Sequence, residues 1–247
     1  MFWLRFLKKI KIKKKADDDV IDKLQGYKDL IENPRIDYDK EKIASHIIAI
    51  LVEYLNYKEA VLTLESKNEV LTRWNNNIED IYIDLYREIF KGLDKSYDID
   101  VKININEMPI LLSTHKNYRI LKNMYKFIDQ DKVFSWEAGG ENIQNHFMYP
   151  MNIVVCKGAN HSQFAARMKN QGETNINKIY DFSKLYSEIE FKGKDYIKKS
   201  DGSIVKQNYK NDEELWFVSG VIFEMSRYLL SSAYVLDKLH KTGLMIL

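Results

Sequence analysis

The N-terminal part of the chain carries apolar residues at the spacing of helices. Apolar side chains recur every three or four residues from Ile43 to Leu55 and from Val70 to Phe90, and a third such pattern runs from Glu213 to Leu239. Residues three and four apart lie on one helix face, so each pattern predicts an amphipathic helix. We therefore predict a helical region over residues 16–96 and a C-terminal helix, within residues 211–247, packed on the core.

The middle of the chain, residues 97–210, carries the patterns of strands. Polar and apolar residues alternate over residues 98–106, Met151 to Cys156 form an unbroken apolar run, and residues 176–182 are a further strand candidate. Alternation predicts a half-buried strand, and a short apolar run between turns predicts a fully buried one. We predict an α+β fold, in which a small mixed central sheet is flanked by N- and C-terminal helices.

The chain passes from a strand pattern to a helix pattern at Lys157-Gly158. Asn160, His161 and Ser162 follow, where the helix begins. A helix N-terminus has unpaired N–H groups and a positive partial charge, which favour an anion. We predict that Asn160 and Ser162 bind phosphate and that His161 contacts or protonates a phosphoryl oxygen. The alternative is structural: Asn160 or Ser162 caps the helix, and His161 packs in the core.

Four more residues are candidates for the same site. Arg119 can bind a phosphate, His146 is a second catalytic candidate, and Asn145 and Trp136 can form a site wall or a base-stacking surface. Their structural alternatives are a surface ion pair, turn chemistry and core packing. Arg119 lies in a predicted short helix, residues 118–128, whose inward residues are expected to be Leu121, Met124, Tyr125 and Ile128.

Three of the five histidines fall within about fifty residues and raise the question of a metal site. His115, His146 and His161 could together bind a metal ion if the fold brought them together. None of them has the short spacing typical of metal ligands, so we assign no metal ligand. A metal-dependent hydrolase is therefore only the third of the functional hypotheses.

Residues 103–182 resemble the ParB/sulfiredoxin superfamily. In that superfamily a strand and a proline lead through an arginine and a short helix to a second strand, and a Gly-x-(His or Arg)-Arg box then opens a helix. The corresponding pieces here are Met108-Pro109, Arg119, residues 121–128, residues 150–155, residues 159–162 and Ala165-Ala166. The resemblance implies that the box, Asn160 to Ser162, contacts nucleotide phosphates at the helix N-terminus.

The box also departs from the superfamily pattern. Ala159 stands where the glycine would be, and Ser162 replaces the last arginine, a strong phosphate ligand. Asn160 stands where sulfiredoxin has its catalytic cysteine, which argues against reductase chemistry. The residues Trp136, Asn145-His146 and Asn160-His161-Ser162 look closer to an uncharacterised bacterial and phage family with a Gly-Asn-His-Ser box, which brings no known activity.

Charge is unevenly distributed along the chain. Seven of the 38 Lys and Arg residues lie in residues 1–15, whereas all 36 Asp and Glu residues lie in the rest, which is therefore mildly acidic. Such a body would not bind nucleic acid through bulk charge. The basic segment also holds Phe2, Trp3 and Leu4, so residues 2–15 either contact an anionic membrane surface weakly or pack on the body as a helix.

Cysteine content and the absence of long apolar runs suggest a compartment. Cys156 is the only cysteine, so no intrachain disulfide can form, and a reducing environment fits. No stretch has 18 unbroken apolar residues, and residues 1–15 lack the order of a signal peptide. We expect a cytoplasmic protein, with a peripheral position at the inner membrane face if the basic segment binds lipid.

Our leading hypothesis is a protein that binds nucleotide or nucleic-acid phosphate, acting as an NTP hydrolase or a nuclease. The expected ligand is then a nucleoside triphosphate with a divalent cation. The competing hypothesis is a non-catalytic interaction protein that binds a protein partner through its helices and basic segment. Richness in Lys, Ile and Asn suggests an AT-rich bacterial or phage genome, so a role in phage defence is a further hypothesis.

Overall fold

The computed structural model of the protein describes most of the chain. The described residues are 19–33, 35, 38–66, 77–92, 95–135, 142–206 and 212–232. The basic segment 1–15, Trp136 and the chain beyond Ser232 lie outside them, so the predictions made for these parts are not tested. The predicted division at residues 15, 96 and 210 likewise stays a prediction.

Three helices precede the sheet, which confirms the helical prediction for the described part of this region. They are α1, residues 19–32, α2, Lys40–Glu65, and α3, Asn77–Phe90. The core face of α2 includes Ile48 and Leu55, both almost completely buried. Burial of such side chains stabilises a helix more than its intrinsic propensity does.

The central sheet is mixed and has five strands, as the α+β prediction required. The strands are β1, Ser96–Asn104, β2, Ile110–Leu111, β3, Asn145–Tyr149, β4, Ile153–Cys156, and β5, Glu173–Asp181. Their order is β1-β5-β3-β4-β2, with β5 parallel to β3 and β2 parallel to β4, and the other pairs antiparallel. The apolar run predicted as a buried strand is β4, whose four residues are all buried.

Two helices, one that follows β2 and one that follows β4 along the chain, pack on each other. They are α4, Asn117–Met124, which continues as a π-helical turn over Tyr125–Asp129, and α5, Asn160–Lys169. The inward face predicted for α4 is wrong: Leu121 and Tyr125 are exposed, whereas Ile120 and Phe127 are buried. Two apolar faces were available on this helix, and packing against α5 and Phe134 selects the second one.

A hairpin and a C-terminal helix complete the fold. The short helix α6, Leu185–Glu188, leads to strands β6, Ile189–Phe191, and β7, Tyr196–Lys198, and α7 follows over Glu213–Ser226. The carboxylate of Asp212 accepts bonds from two N–H groups of the first turn of α7. The single α-helix predicted from Glu213 to Leu239 is interrupted after Ser226, where the chain tightens into a 3-10 turn over Arg227–Leu229, and residues 233–239 lie outside the described ranges.

Helix α7 packs against both α2 and α3 and so covers the core. Tyr82 of α3 lies fully buried between the rings of Phe182 and Phe223, and its hydroxyl donates to the carbonyl oxygen of Ser219 at 2.6 Å. A buried tyrosine needs such a partner for its hydroxyl. Among the residues that the structure describes, no helix has the length and apolar character needed to cross a membrane.

The packing of α7 against the hairpin predicts an asymmetry between two glycines. A Cβ atom at Gly220 would lie 2.2 Å from the buried ring of Phe191, whereas one at Gly26 in α1 would meet nothing within 4 Å. We expect Gly220→Ala to lower the free energy of unfolding by about 1–3 kcal/mol through overpacking. Gly26→Ala should raise it by roughly 0.5–1 kcal/mol. Urea unfolding of both variants measures the difference, and equal stability of the two would contradict this packing.

Candidate functional site

A cleft opens between α4 and the N-terminus of α5. Its volume is about 800 Å³. The described residues that line it include His115, Tyr118, Arg119, Lys122, Asn123, Lys126, Phe134, Asn142, Gln144 and the run Lys157 to Ser162. The strand-to-helix transition that the sequence singled out therefore forms one wall of this cleft, and α4 forms another.

The transition has the predicted order of strand, turn and helix. Strand β4 ends at Cys156, and α5 begins at Asn160. The N-cap residue is Ala159, in the left-handed conformation with φ 56°, and no side chain caps the helix. The alternative in which Asn160 or Ser162 caps the helix is therefore wrong, because both lie inside its first turn. No capping side chain accepts from the N–H groups of that turn, whose positive partial charge favours an anion.

The turn before α5 requires glycine at position 158. A Cβ atom there would lie 1.9 Å from the carbonyl oxygen of Asn142, so any other residue would push the two segments apart. Gln163 of α5 also holds the turn, because its side-chain amide donates to the carbonyl oxygen of Gly158 at 3.3 Å and to the Sγ atom of Cys156 at 3.1 Å. The approach to the helix N-terminus is thus closely packed.

Asn145 belongs to this supporting network. Its amide nitrogen donates to Thr174 Oγ1 at 2.8 Å and to the carbonyl oxygen of Asn175 at 2.7 Å, and its Oδ1 atom accepts from Gln163. The side chain is completely buried and is not among the lining residues. Asn145 was predicted as a site wall. Its contacts instead connect β3, β5 and α5 beneath the cleft.

The side chains of Asn160 and Ser162 hold neighbouring segments in place. Asn160 Oδ1 accepts the backbone N–H of Ser113 at 2.7 Å, and Ser162 Oγ donates to Asn123 Oδ1 at 2.9 Å. The first bond fixes the segment that follows β2, and the second fixes α4. Both residues line the cleft as predicted, and their side-chain oxygens are engaged within the protein.

His161 anchors the segment before α4. Its Nε2 atom accepts the backbone N–H groups of His115 at 3.3 Å and Lys116 at 3.1 Å, and its ring lies edge-on to that of His115. These partners assign the neutral ring with its proton on Nδ1. The side chain lines the cleft as predicted. However, Nε2 is an engaged acceptor, so it cannot also donate a proton to a phosphoryl oxygen in this arrangement.

His146 does not join His161 in the cleft. It lies on β3, and its Nδ1 atom is 2.9 Å from the carboxylate of Glu79 on α3. Glu79 is buried and also pairs with Lys157 at 3.1 Å. Burial raises the pKa of the adjacent Asp80 carboxyl, and the charge of Lys157 opposes this rise. His146, the second catalytic candidate, therefore does not line the cleft with His161, because the pleat of β3 turns its side chain towards α3.

Because His146 lies apart from His115 and His161, the three histidines do not form a metal site. The rings of His115 and His161 are adjacent, with centroids 4.7 Å apart, but His146 is occupied by Glu79 elsewhere. Within the described ranges no group of three His, Cys, Asp or Glu side chains is placed to hold a metal ion.

Helix α4 and the π-helical turn that continues it line the cleft with three cations. Arg119 and Lys122 lie three residues apart on one face of α4, Lys126 follows in the π-helical turn, and all three line the cleft. The Nε atom of Arg119 is 3.3 Å from the hydroxyl of Tyr118, which also lines the cleft. No carboxylate occurs among the described lining residues. The positive wall of α4 thus reinforces the positive end of α5, and this combination favours an anionic ligand.

Only one of these cations was found from the sequence. Arg119 was predicted, whereas Lys122 and Lys126 were missed. Their spacing from Arg119 on a predicted helix could have identified them, because it places the three positive charges close together. Trp136, the predicted stacking surface, lies outside the described residues.

The fold defines an α+β protein whose cleft lies at a helix N-terminus and is lined by cationic side chains. The chain matches DUF6710, a family of unknown function, over residues 4–235, and it belongs to that family. No curated protein and no solved structure matches the chain.

The bonds of His161 predict that it matters for stability. His161→Ala leaves two backbone N–H groups without their acceptor, and each buried unsatisfied donor costs about 1–3 kcal/mol. We expect a loss of at least about 2 kcal/mol in the free energy of unfolding. His46→Ala, at an exposed histidine of α2, is the matched control and should change stability by less than about 0.5 kcal/mol. Urea unfolding measures both, and equal stabilities would show that the ring does not anchor this segment.

Proposed function

We propose that this protein binds the phosphate groups of a nucleotide in the cleft at the N-terminus of α5. The observation that carries the proposal is the shared cleft of two positive elements, the uncapped first turn of α5 and the cationic face of α4. Backbone N–H groups at a helix N-terminus bind phosphate oxygens, and arginine and lysine form charge-assisted bonds with the same oxygens. The two elements would hold a phosphate group from two sides.

Size and charge favour a nucleotide over a nucleic acid. A volume of about 800 Å³ lies within the range of roughly 300–1,000 Å³ that is typical of small-ligand sites. Tyr118, about half exposed in the cleft, offers a ring on which a base can stack. Beyond residues 1–15 the chain is mildly acidic, which disfavours a long polyanion.

We also propose that residues 103–182 form a core of the ParB/sulfiredoxin type. The arrangement of β4, a glycine turn and the box at the start of α5, with α4 beside it, supports this relationship. Ser162 lacks the charge of the arginine that the superfamily has at this position. Arg119, Lys122 and Lys126 would supply that charge from α4 instead.

The proposal is limited to binding. Hydrolysis of a nucleoside triphosphate or a nucleic acid needs a group that activates water. Among the described lining residues His161 was the predicted candidate, and its Nε2 atom is an engaged acceptor. The described groups bind and position phosphate, so NTP hydrolase and nuclease activities stay hypotheses from the sequence.

Nucleotide binding predicts a thermal shift. A ligand that binds only the folded state stabilises it by RT ln(1 + L/Kd), where L is the ligand concentration, so the melting temperature rises with the logarithm of the ligand concentration above Kd. We expect at least one of ATP, GTP, CTP and UTP to raise Tm in a concentration-dependent way, with the monophosphate of the same base weaker. The absence of a shift across this panel would overturn the proposal. If a labelled single-stranded oligonucleotide bound more tightly than these nucleotides, the ligand class would be nucleic acid and not nucleotide.

Variants of the two positive walls locate the site. Lys122→Glu should weaken nucleotide binding at least tenfold, because a charge-assisted bond contributes about 1.5–3 kcal/mol. Ser162→Asp should do the same, because a carboxylate in the first turn repels phosphate, and its melting temperature without ligand separates this repulsion from the loss of the bond to Asn123 Oδ1. Lys184→Glu, at an exposed lysine of the turn before α6, makes the same charge change away from the cleft and should have no effect. Calorimetric titration measures all three, and equal weakening by the control would reject this site.

A further inference from the structure

The outer face of α2 is apolar although it is exposed to solvent. Ile50, Tyr54, Tyr57, Val61 and Leu64 are 67%, 46%, 50%, 51% and 44% exposed. We refer to these five residues as the α2 stripe. They extend over about 21 Å of helix at 1.5 Å per residue. A contiguous apolar surface of this kind marks an interaction site more often than scattered apolar residues do.

The α2 stripe has the spacing of a coiled-coil seam. Its members are separated by four, three, four and three residues, which are the alternating a and d positions of a heptad, with Ile50 at d and Tyr54 at a. The buried residues Val52, Leu55 and Glu59 fall at f, b and f, on the opposite side of the helix. The helix therefore has one face for its own core and a second for another helix.

Charges flank the α2 stripe in an order that selects its partner. Glu53 occupies a g position and lies on the side of α5, where it pairs with Arg167. Lys58 occupies the following e position and lies on the side of α7, where it pairs with Glu214. In a parallel pair of helices a g residue meets the e residue five positions further along the partner. Two copies of α2 side by side and parallel would thus form two Glu53–Lys58 pairs.

We propose that α2 is the interface of a parallel, two-fold symmetric dimer of this chain. The α2 stripes of two copies would form the apolar seam, and each flank would extend into an alternating row of charges: Arg167, Glu53, Lys58 and Glu214. An antiparallel pair would place like flanks together and lose this match. The seam covers only two heptads, so the dimer is expected to form in a concentration-dependent way. The inference does not rest on the phosphate cleft.

The first test measures mass in solution. Light scattering after size exclusion, over a concentration series of the full chain, should show a shift from monomer to dimer. Val61→Glu places a charge in the seam and should give a monomer at every concentration. Val133→Glu is the control, because Val133 is 54% exposed and lies outside the α2 stripe, and it should dimerise as the unmodified chain does. A monomeric unmodified chain throughout the series, or a dimer that survives Val61→Glu, overturns the proposal.

The second test uses the charges and reports the orientation. Glu53→Lys alone sets Lys against Lys58 across the seam, and Lys58→Glu alone sets Glu against Glu53. Each variant should dimerise roughly tenfold more weakly, from the loss of two pairs and the added repulsion. A mixture of the two variants restores both opposite-charge pairs and should form a heterodimer of near-original affinity.

The melting temperature of each variant is the folding control, because each also loses a pair with Arg167 or Glu214 inside its own chain. Failure of two folded variants to associate on mixing overturns the parallel pairing. Undiminished self-association of either folded variant overturns it as well.

Discussion

The segment between β2 and α4 depends on hydrogen bonds from side chains on both of its sides. Helix α2 binds it from one side: Asn56 contacts the carbonyl oxygen of Ile110 and the N–H of Leu112, and Thr63 donates to the carbonyl oxygen of Thr114. The first turn of α5 binds it from the other, through Asn160 and His161. A buried segment beyond its strand has no ladder to satisfy its polar groups, so these side chains replace the ladder.

This double attachment explains how the cleft keeps its shape. The segment leads directly into α4, and the bond from Ser162 to Asn123 then fixes α4 against the start of α5. The two positive elements are therefore held at a set distance by side chains of the box itself. The box side chains maintain the wall, so α4 and the first turn of α5 keep their relative positions without a ligand. If the cleft binds phosphate as we propose, such a preformed site loses little entropy on binding.

Helix α2 carries polar residues on the face that packs on the core. Asn56, Glu59 and Thr63 lie on its core face, where Glu59 accepts the Ser113 hydroxyl at 2.6 Å. The apolar residues that a typical surface helix would direct inward are present on the outer face as well. Because both faces of α2 carry apolar side chains, the helix has the means to meet a second helix in addition to its own core.

The local order of elements was available from the amino-acid sequence alone. The run of β4, the turn at Gly158 and the start of α5 are all encoded within about twenty residues, by apolar continuity, a glycine and helical spacing. The same local periodicity predicted the long helices. Such features depend on neighbours in sequence, which is why they could be found without the fold.

The choice between roles for each polar residue was decided only by the tertiary structure. His146 pairs with Glu79, which is 67 residues away, and His161 bonds to N–H groups about 45 residues away. The inward face of α4 was likewise selected by its packing on α5. A histidine has the same spacing in the sequence whether it binds a ligand or anchors a chain segment. Its role depends on which donors and acceptors the fold brings within 3 Å, and those partners come from distant parts of the chain.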